Sequence, residues 1–295
     1  MSKQPHKTAP VPLIGAHFST AGGLHHALEE AVRLDCPVAQ LFTASPRQWK
    51  ARPLGEPAVE LFLKTQQRSG VRTVSHAAYL INLAGEDAAA TQSLAAFTEE
   101  LRRCQALRIP HLVVHPGSAG EQTVEQAVRR IAQSLDAALA ASENSATTVL
   151  LETTAGQGHS IGRSFGELAA ILEHCKHQAR LGICLDTCHI FAAGYDIRTE
   201  ETYHATIDAF QKALPLKRLQ FFHFNDSVTG LNSHVDRHAH LGEGELGIKP
   251  FGFILNDPRF LSVGKCLETE NDEKRARDFQ ILRDAFTATS PPSQT

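Results

Sequence analysis

Six residues at the ends of apolar runs carry the chemistry this chain can do: His76, His115, Glu152, Asp186, His223 and Glu268. Imidazole and carboxylate are the side chains that bind intermediate and hard metal ions, and that set contains no thiolate. Two neighbouring segments enlarge it. His189 follows Asp186 in Asp186-Thr187-Cys188-His189, and Asp236-Arg237-His238 lies in the long stretch after the seventh run. In an extended segment Asp236 and His238 point the same way. The set then holds five histidines and four carboxylates. One catalytic zinc typically takes about three protein ligands, so a cluster of ions is expected. Glu152, Asp186, Asp236 and Glu268 converging on one cavity would be costly unless cations balance them. Zinc, manganese and iron all suit these donors, and the sequence does not choose among them.

The elements that must position these residues are eight short apolar runs, at 11–17, 36–43, 71–76, 110–115, 148–152, 181–186, 218–225 and 263–268. The third to the eighth carry the six residues named first, each at its end except His223, which lies two residues before the end of the seventh. Between the runs the apolar residues recur at three- and four-residue spacing, as in Val128, Ile131, Leu135 and Leu139, which is the helical period. A second such series, from Phe165 to Cys175, starts at a capping box formed by Ser164 and Glu167. Regular alternation of strand and helix implies parallel strands with right-handed crossovers, and continuous apolar strands such as 111–114 fit burial on both faces. The fold expected is an α/β protein, a (β/α)8 TIM barrel with its site at the C-terminal rim of the strands.

With 295 residues the chain accommodates one barrel domain over 11–286, flanked by flexible tails at 1–10 and 287–295. The first ten residues are polar, so neither a secretory signal nor a membrane anchor is expected, and a cytoplasmic placement without membrane contact follows. Six cysteines, at 36, 104, 175, 184, 188 and 266, show no small-scaffold spacing and read as reduced, buried thiols. A formal net charge of −3 gives no sign of a basic nucleic-acid surface; Arg47, Lys50 and Arg52 form only a local patch. Gly242-Glu243-Gly244-Glu245 follows no strand and lacks a Gly-Lys-Ser/Thr ending, so it is not read as a phosphate cradle or nucleotide site.

Several ordered segments resemble the endonuclease IV family of apurinic/apyrimidinic (AP) endonucleases. They are Ile14-Gly15-Ala16-His17 with Ala21-Gly22-Gly23, Ser75-His76 with 79–84, His115-Pro116-Gly117, and 151–158. Further along come Leu185-Asp186-Thr187-Cys188-His189, His223-Phe224-Asn225-Asp226-Ser227, and Asp236-Arg237-His238 leading into Gly242-Glu243-Gly244. The resemblance implies a monomeric, three-zinc enzyme of base excision repair acting on double-stranded DNA. It would hydrolyse the phosphodiester 5′ to an abasic site, leaving a 3′-hydroxyl and a 5′-deoxyribose phosphate, and would also remove 3′-blocking groups. Carried over by position, His76, His115 and Glu152 hold the first zinc. Glu152 bridges to a second held by Asp186, His223 and Glu268, while His189, Asp236 and His238 hold the third. Glu152 and Glu268 are also the implied catalytic carboxylates. Arg47, Tyr79 and Leu80 match positions that the family inserts into a bent duplex.

Each residue also has an ordinary reading. A strand-end histidine can satisfy a buried hydrogen bond, an acid before a helix can cap it, and Tyr79, Leu80 and Trp49 can pack a core. The shared rim position favours the ligand reading, while Trp49 is expected to pack. His17 is expected to support a ligand from behind rather than bind metal. His25, His26, His174 and His177 are assigned to helix surfaces, and Cys184 and Cys188 lack the paired spacing of a structural zinc site. The chain departs from the family pattern at Ala44 and Ser45, where a Lys-Asn pair is usual, and at Glu270, where a proline is usual. Two rival readings remain: a xylose isomerase-like sugar isomerase or epimerase, and a lesion-binding protein that does not cleave.

Overall fold

In the computed structural model, which describes residues 12–142, 145–270 and 273–287, eight parallel strands close into a barrel. They are β1 (Ile14–His17), β2 (Val38–Leu41), β3 (Arg72–His76), β4 (His111–Val114), β5 (Thr148–Glu152), β6 (Leu181–Asp186), β7 (Leu219–His223) and β8 (Gly264–Leu267). Each pairs in parallel with its neighbours in sequence, and β1 closes the ring by pairing Ile14 with Lys265 of β8. The strands are shorter than the apolar runs at most ends, yet all eight fall inside them. The expected tails at 1–10 and 287–295 lie, apart from Thr287, outside the described residues.

The barrel interior is layered by the alternation of side chains along each strand. Val38, Val74, Val113, Leu150, Cys184, Phe221 and Cys266, one from each of β2 to β8, form a buried plug. β1 contributes Gly15, where an added Cβ would lie 1.8 Å from the Val38 carbonyl oxygen, so only glycine fits. Two residues further along each strand, on the same face, come His17, Gln40, His76, His115, Glu152, Asp186, His223 and Glu268. The strand period therefore places one polar residue from each strand in a single ring directly above an apolar floor.

Nine helices lie among the described residues. The large outer core joins them to the outward faces of the strands, through Phe62, Phe97, Leu135, Phe210 and Phe251 among others. Helix α4 (Val124–Ala140) begins with a full capping box, Thr123 with Gln126. At α5 (Phe165–His174) the Ser164 side chain accepts from the Glu167 amide, as expected, but the Glu167 carboxylate bonds instead to the amides of Gly162 and Arg163. Half of the expected box is thus redirected to tie down the preceding loop. His177 sits just before a 3-10 turn, not on a helix, with its ring on Asp136 at 2.8 Å.

Candidate metal centre

Of the six candidate ligands at strand ends, four close their strands, namely His76, Glu152, Asp186 and His223, while His115 and Glu268 lie one residue beyond theirs. Glu152 is at the centre and fully buried. Its Oε2 lies 3.1 Å from His76 Nε2 and 2.9 Å from His115 Nε2, and its Oε1 lies 2.8 Å from His223 Nδ1. Asp186 caps the short helix α6 (Thr187–Ala192) by accepting from the His189 amide at 2.8 Å. The ordinary capping reading of this acid therefore holds together with its place in the cluster.

The third group hangs on a loop that needs its own anchor. Asp226–Ser227 and His238–Ala239 form a two-residue antiparallel ladder. The buried Asp226 carboxylate accepts from the amides of Gly242, Gly244 and Leu246 at 2.9, 3.1 and 3.0 Å. A Cβ on Gly244 would stand 2.5 Å from Asp226 Oδ1. The glycine motif that had no role in the sequence thus cradles the chain's own carboxylate. That loop brings Asp236 Oδ2 to 3.1 Å and His238 Nε2 to 3.4 Å from His189 Nε2.

Three ligand groups result, each with its donor atoms within 4.8 Å of one another: His76, His115 and Glu152; Glu152, Asp186, His223 and Glu268; His189, Asp236 and His238. All nine sequence-assigned positions fall into these groups, and Glu152 is shared by two. Cys188 also comes near Asp186 and His238; burial pushes its thiol well above the usual range, and its Sγ donates to the Arg237 carbonyl.

The electrostatics agree with a donor set built around cations. Burial by itself would raise the Glu152 carboxyl, yet His223 and His115 outweigh it and hold Glu152 well below the usual carboxylate range. Burial opposes the charged form of His189, yet Asp186 and Asp236 raise it well above an ordinary histidine. The buried carboxylates thus favour positive charge among them. Nitrogen and oxygen donors converging on shared carboxylates fit ions of intermediate hardness.

Around the groups, hydrogen bonds aim the rings. His76 Nδ1 donates to the Ala77 carbonyl and His189 Nδ1 to the Thr153 carbonyl, leaving Nε2 of each for the cluster. Asn225 Nδ2 donates to Asp186 Oδ2 at 2.6 Å and Glu268 Oε2 at 3.2 Å. Gln40, which carries no mark in the sequence beyond a polar residue in an apolar run, touches His17, His223 and Glu268. Burial pushes His17 down to about 3, so it is neutral and supports Gln40 rather than the cluster.

A cleft of about 550 Å³ opens above the groups, with Tyr79, Arg237, Glu270 and Lys274 among its walls. Tyr79 in its wall is 62% exposed and the adjacent Leu80 36% exposed, so neither packs a core. Arg47 is exposed as well, and Trp49, expected to pack, is 41% exposed. Ala44 lines a neighbouring groove between the first two βα loops.

Fold and rim together define a TIM barrel with a polynuclear-type donor cluster at the C-terminal ends of its strands. Residues 28–286 match the family model described as a xylose isomerase-like TIM barrel. The chain is 46% identical over 267 residues to the probable endonuclease 4 of Trichlorobacter lovleyi, covering 90% of this chain and 95% of that protein. It is 44% identical over 276 residues to that of Geotalea daltonii, covering 92% and 97%. The crystal structure of endonuclease IV from Thermus thermophilus superposes with a TM-score of 0.84 at 36% identity, over 93% of this chain and 98% of that one. A D-tagatose 3-epimerase-like protein shares the fold, with a TM-score of 0.72 at 17% identity, over 92% of this chain and 96% of that one. The chain belongs to the endonuclease IV family of AP endonucleases and is an enzyme.

Proposed function

We propose that this enzyme repairs DNA by hydrolysing the phosphodiester 5′ to an abasic site in duplex DNA, with three zinc ions held by the three donor groups. The observation that carries this reading is the grouping of nine donors into three sets with Glu152 common to two. Bound there, the ions would neutralise phosphate charge and activate a water for displacement at phosphorus. The chain's own residues supply the rest. Glu268, fixed by Gln40 at Oε1 and Asn225 at Oε2, orients the attacking water or takes its proton. Tyr79 and Leu80 stand out from the loop after β3, where an aromatic and an aliphatic wedge can fill the gap left by a missing base. Arg47 offers a guanidinium for the phosphate backbone at the same rim. Removal of 3′-blocking groups uses the same phosphodiester chemistry.

The test is a duplex carrying one tetrahydrofuran abasic analogue. Incision 5′ to the analogue with a 3′-hydroxyl that primes a polymerase is expected. Binding without incision, or turnover of ketose sugars with no incision, would contradict the reading.

A further inference from the structure

We infer that Gln40 is a positioning residue of the metal centre, its amide selecting the nitrogen that His223 presents to the donor cluster and holding Glu268 in the same frame. Gln40 is the β2 member of the eight-residue ring, fully buried one pleat above Val38. Its Oε1 lies 2.8 Å from His223 Nε2, and its Nε2 lies 2.7 Å from Glu268 Oε1 and 3.1 Å from His17 Nδ1. Only one orientation of the amide works. Turned over, its carbonyl would face the Glu268 carboxylate, acceptor against acceptor. With the amide nitrogen donating to Glu268 and His17, the carbonyl must receive a proton from His223, so His223 carries hydrogen on Nε2 and directs Nδ1 inward.

That assignment makes His223 the exception among the buried rings. His76 and His189 use Nδ1 on backbone carbonyls and turn Nε2 inward; His223 is reversed, and a side chain does what the backbone does elsewhere. A backbone carbonyl cannot be lost by substitution, whereas Gln40 can. At 0% exposure the amide is closed off from bulk water. His17, neutral, accepts the second amide proton at Nδ1.

The inference rests on reading the rim as a metal centre and is independent of the DNA substrate. The probe is zinc itself, with Gln40→Met, which keeps volume but removes both hydrogen bonds, and Gln40→Glu, which keeps the acceptor for His223 and loses the donor to Glu268. Retention of zinc against graded chelator is measured by elemental analysis, and histidine tautomers are read from long-range nitrogen–proton correlations in protein labelled at histidine. Gln40→Met should hold zinc roughly 10- to 100-fold less tightly and lose the Nε2–H signature of His223. Gln40→Glu should keep that signature yet still release zinc more readily. Wild-type zinc retention with an unchanged tautomer pattern in Gln40→Met would overturn the inference. If Gln40→Met does not fold, wild-type zinc retention in Gln40→Glu would overturn it. A wild type that holds no zinc would instead remove the metal-centre reading, and the tautomer comparison would still decide the Gln40–His223 contact.

Discussion

Tyr79 meets Phe42 and His76 edge-on or tilted, at ring-centroid distances of 5.3 and 5.6 Å, while most of its surface faces the cleft. The ring is thus propped from below and free above, the posture of a stacking platform. Tyr79→Ala should weaken binding of abasic duplex by roughly 10-fold, the lower end for loss of one base-stacking contact, with metal content unchanged. A fluorescence titration with labelled duplex beside elemental analysis checks this; unchanged affinity would remove the stacking role. At this scale the sequence was informative where residue type was unusual. Imidazoles and carboxylates ending apolar strands stand out because burial of such groups is expensive. Gln40 does not stand out: a neutral amide in a strand is ordinary, and its role emerges only once register places it between His223 and Glu268. Trp49 differs from expectation for a related reason: a lone indole reads as core, and only its place on the loop after β2 shows it 41% exposed.

Between elements, the loop after β2 shows how the site face is held. Helix α3 (Asp87–Ala106) sends Arg103 under it, where Nε donates to the Thr43 carbonyl at 3.1 Å and Nη1 to the Arg52 carbonyl at 3.0 Å. Glu100 accepts from the Thr43 hydroxyl at 2.6 Å. The guanidinium therefore brackets the segment that carries Arg47 and Trp49. Arg103→Ala strands the Thr43 and Arg52 carbonyls and removes the positive charge that partly offsets the buried Glu100. The variant should lose about 3 kcal/mol of unfolding free energy, measured by denaturant titration, and its loop 43–52 should become sensitive to protease in the folded state. A loss below about 0.5 kcal/mol would show that the bracket does not hold the loop. Strand and helix positions were legible from period alone, because a two-residue and a 3.6-residue repeat differ over any run of this length. The bracket was not: it joins segments far apart in the chain, and nothing local marks Arg103 as a brace. The Glu167 half of the expected capping box failed likewise, because two amides of the preceding loop competed for that carboxylate.

Across the whole molecule, the barrel separates an apolar floor from a polar ring, and closure makes both possible: eight strands in register bring eight residues to one level. The lower end carries a different signature. Lys265 of β8 points into the outer core, 1% exposed, with Nζ donating to the Phe260 and Val263 carbonyls. Burial pushes it down to about 7, from an ordinary 10.5. Between those values the unfolded chain binds more protons than the folded one, so this group makes stability rise with pH. Below about 7 both states are protonated and the full burial cost remains. Wild type should therefore gain stability relative to Lys265→Met from about pH 7 to about pH 9, by at most ~1.4 kcal/mol per unit. Chemical denaturation at several pH values checks this, and parallel curves for the two proteins would refute it.

The central claim is that the rim holds metal and that the metal performs the cleavage. It is tested most directly by counting ions in the purified enzyme, stripping them with chelator, and measuring single-turnover incision of the abasic duplex before stripping, after it, and after zinc is returned. Three ions per chain are expected, with incision abolished on stripping and restored with zinc. Full incision by protein that elemental analysis finds free of metal would contradict it.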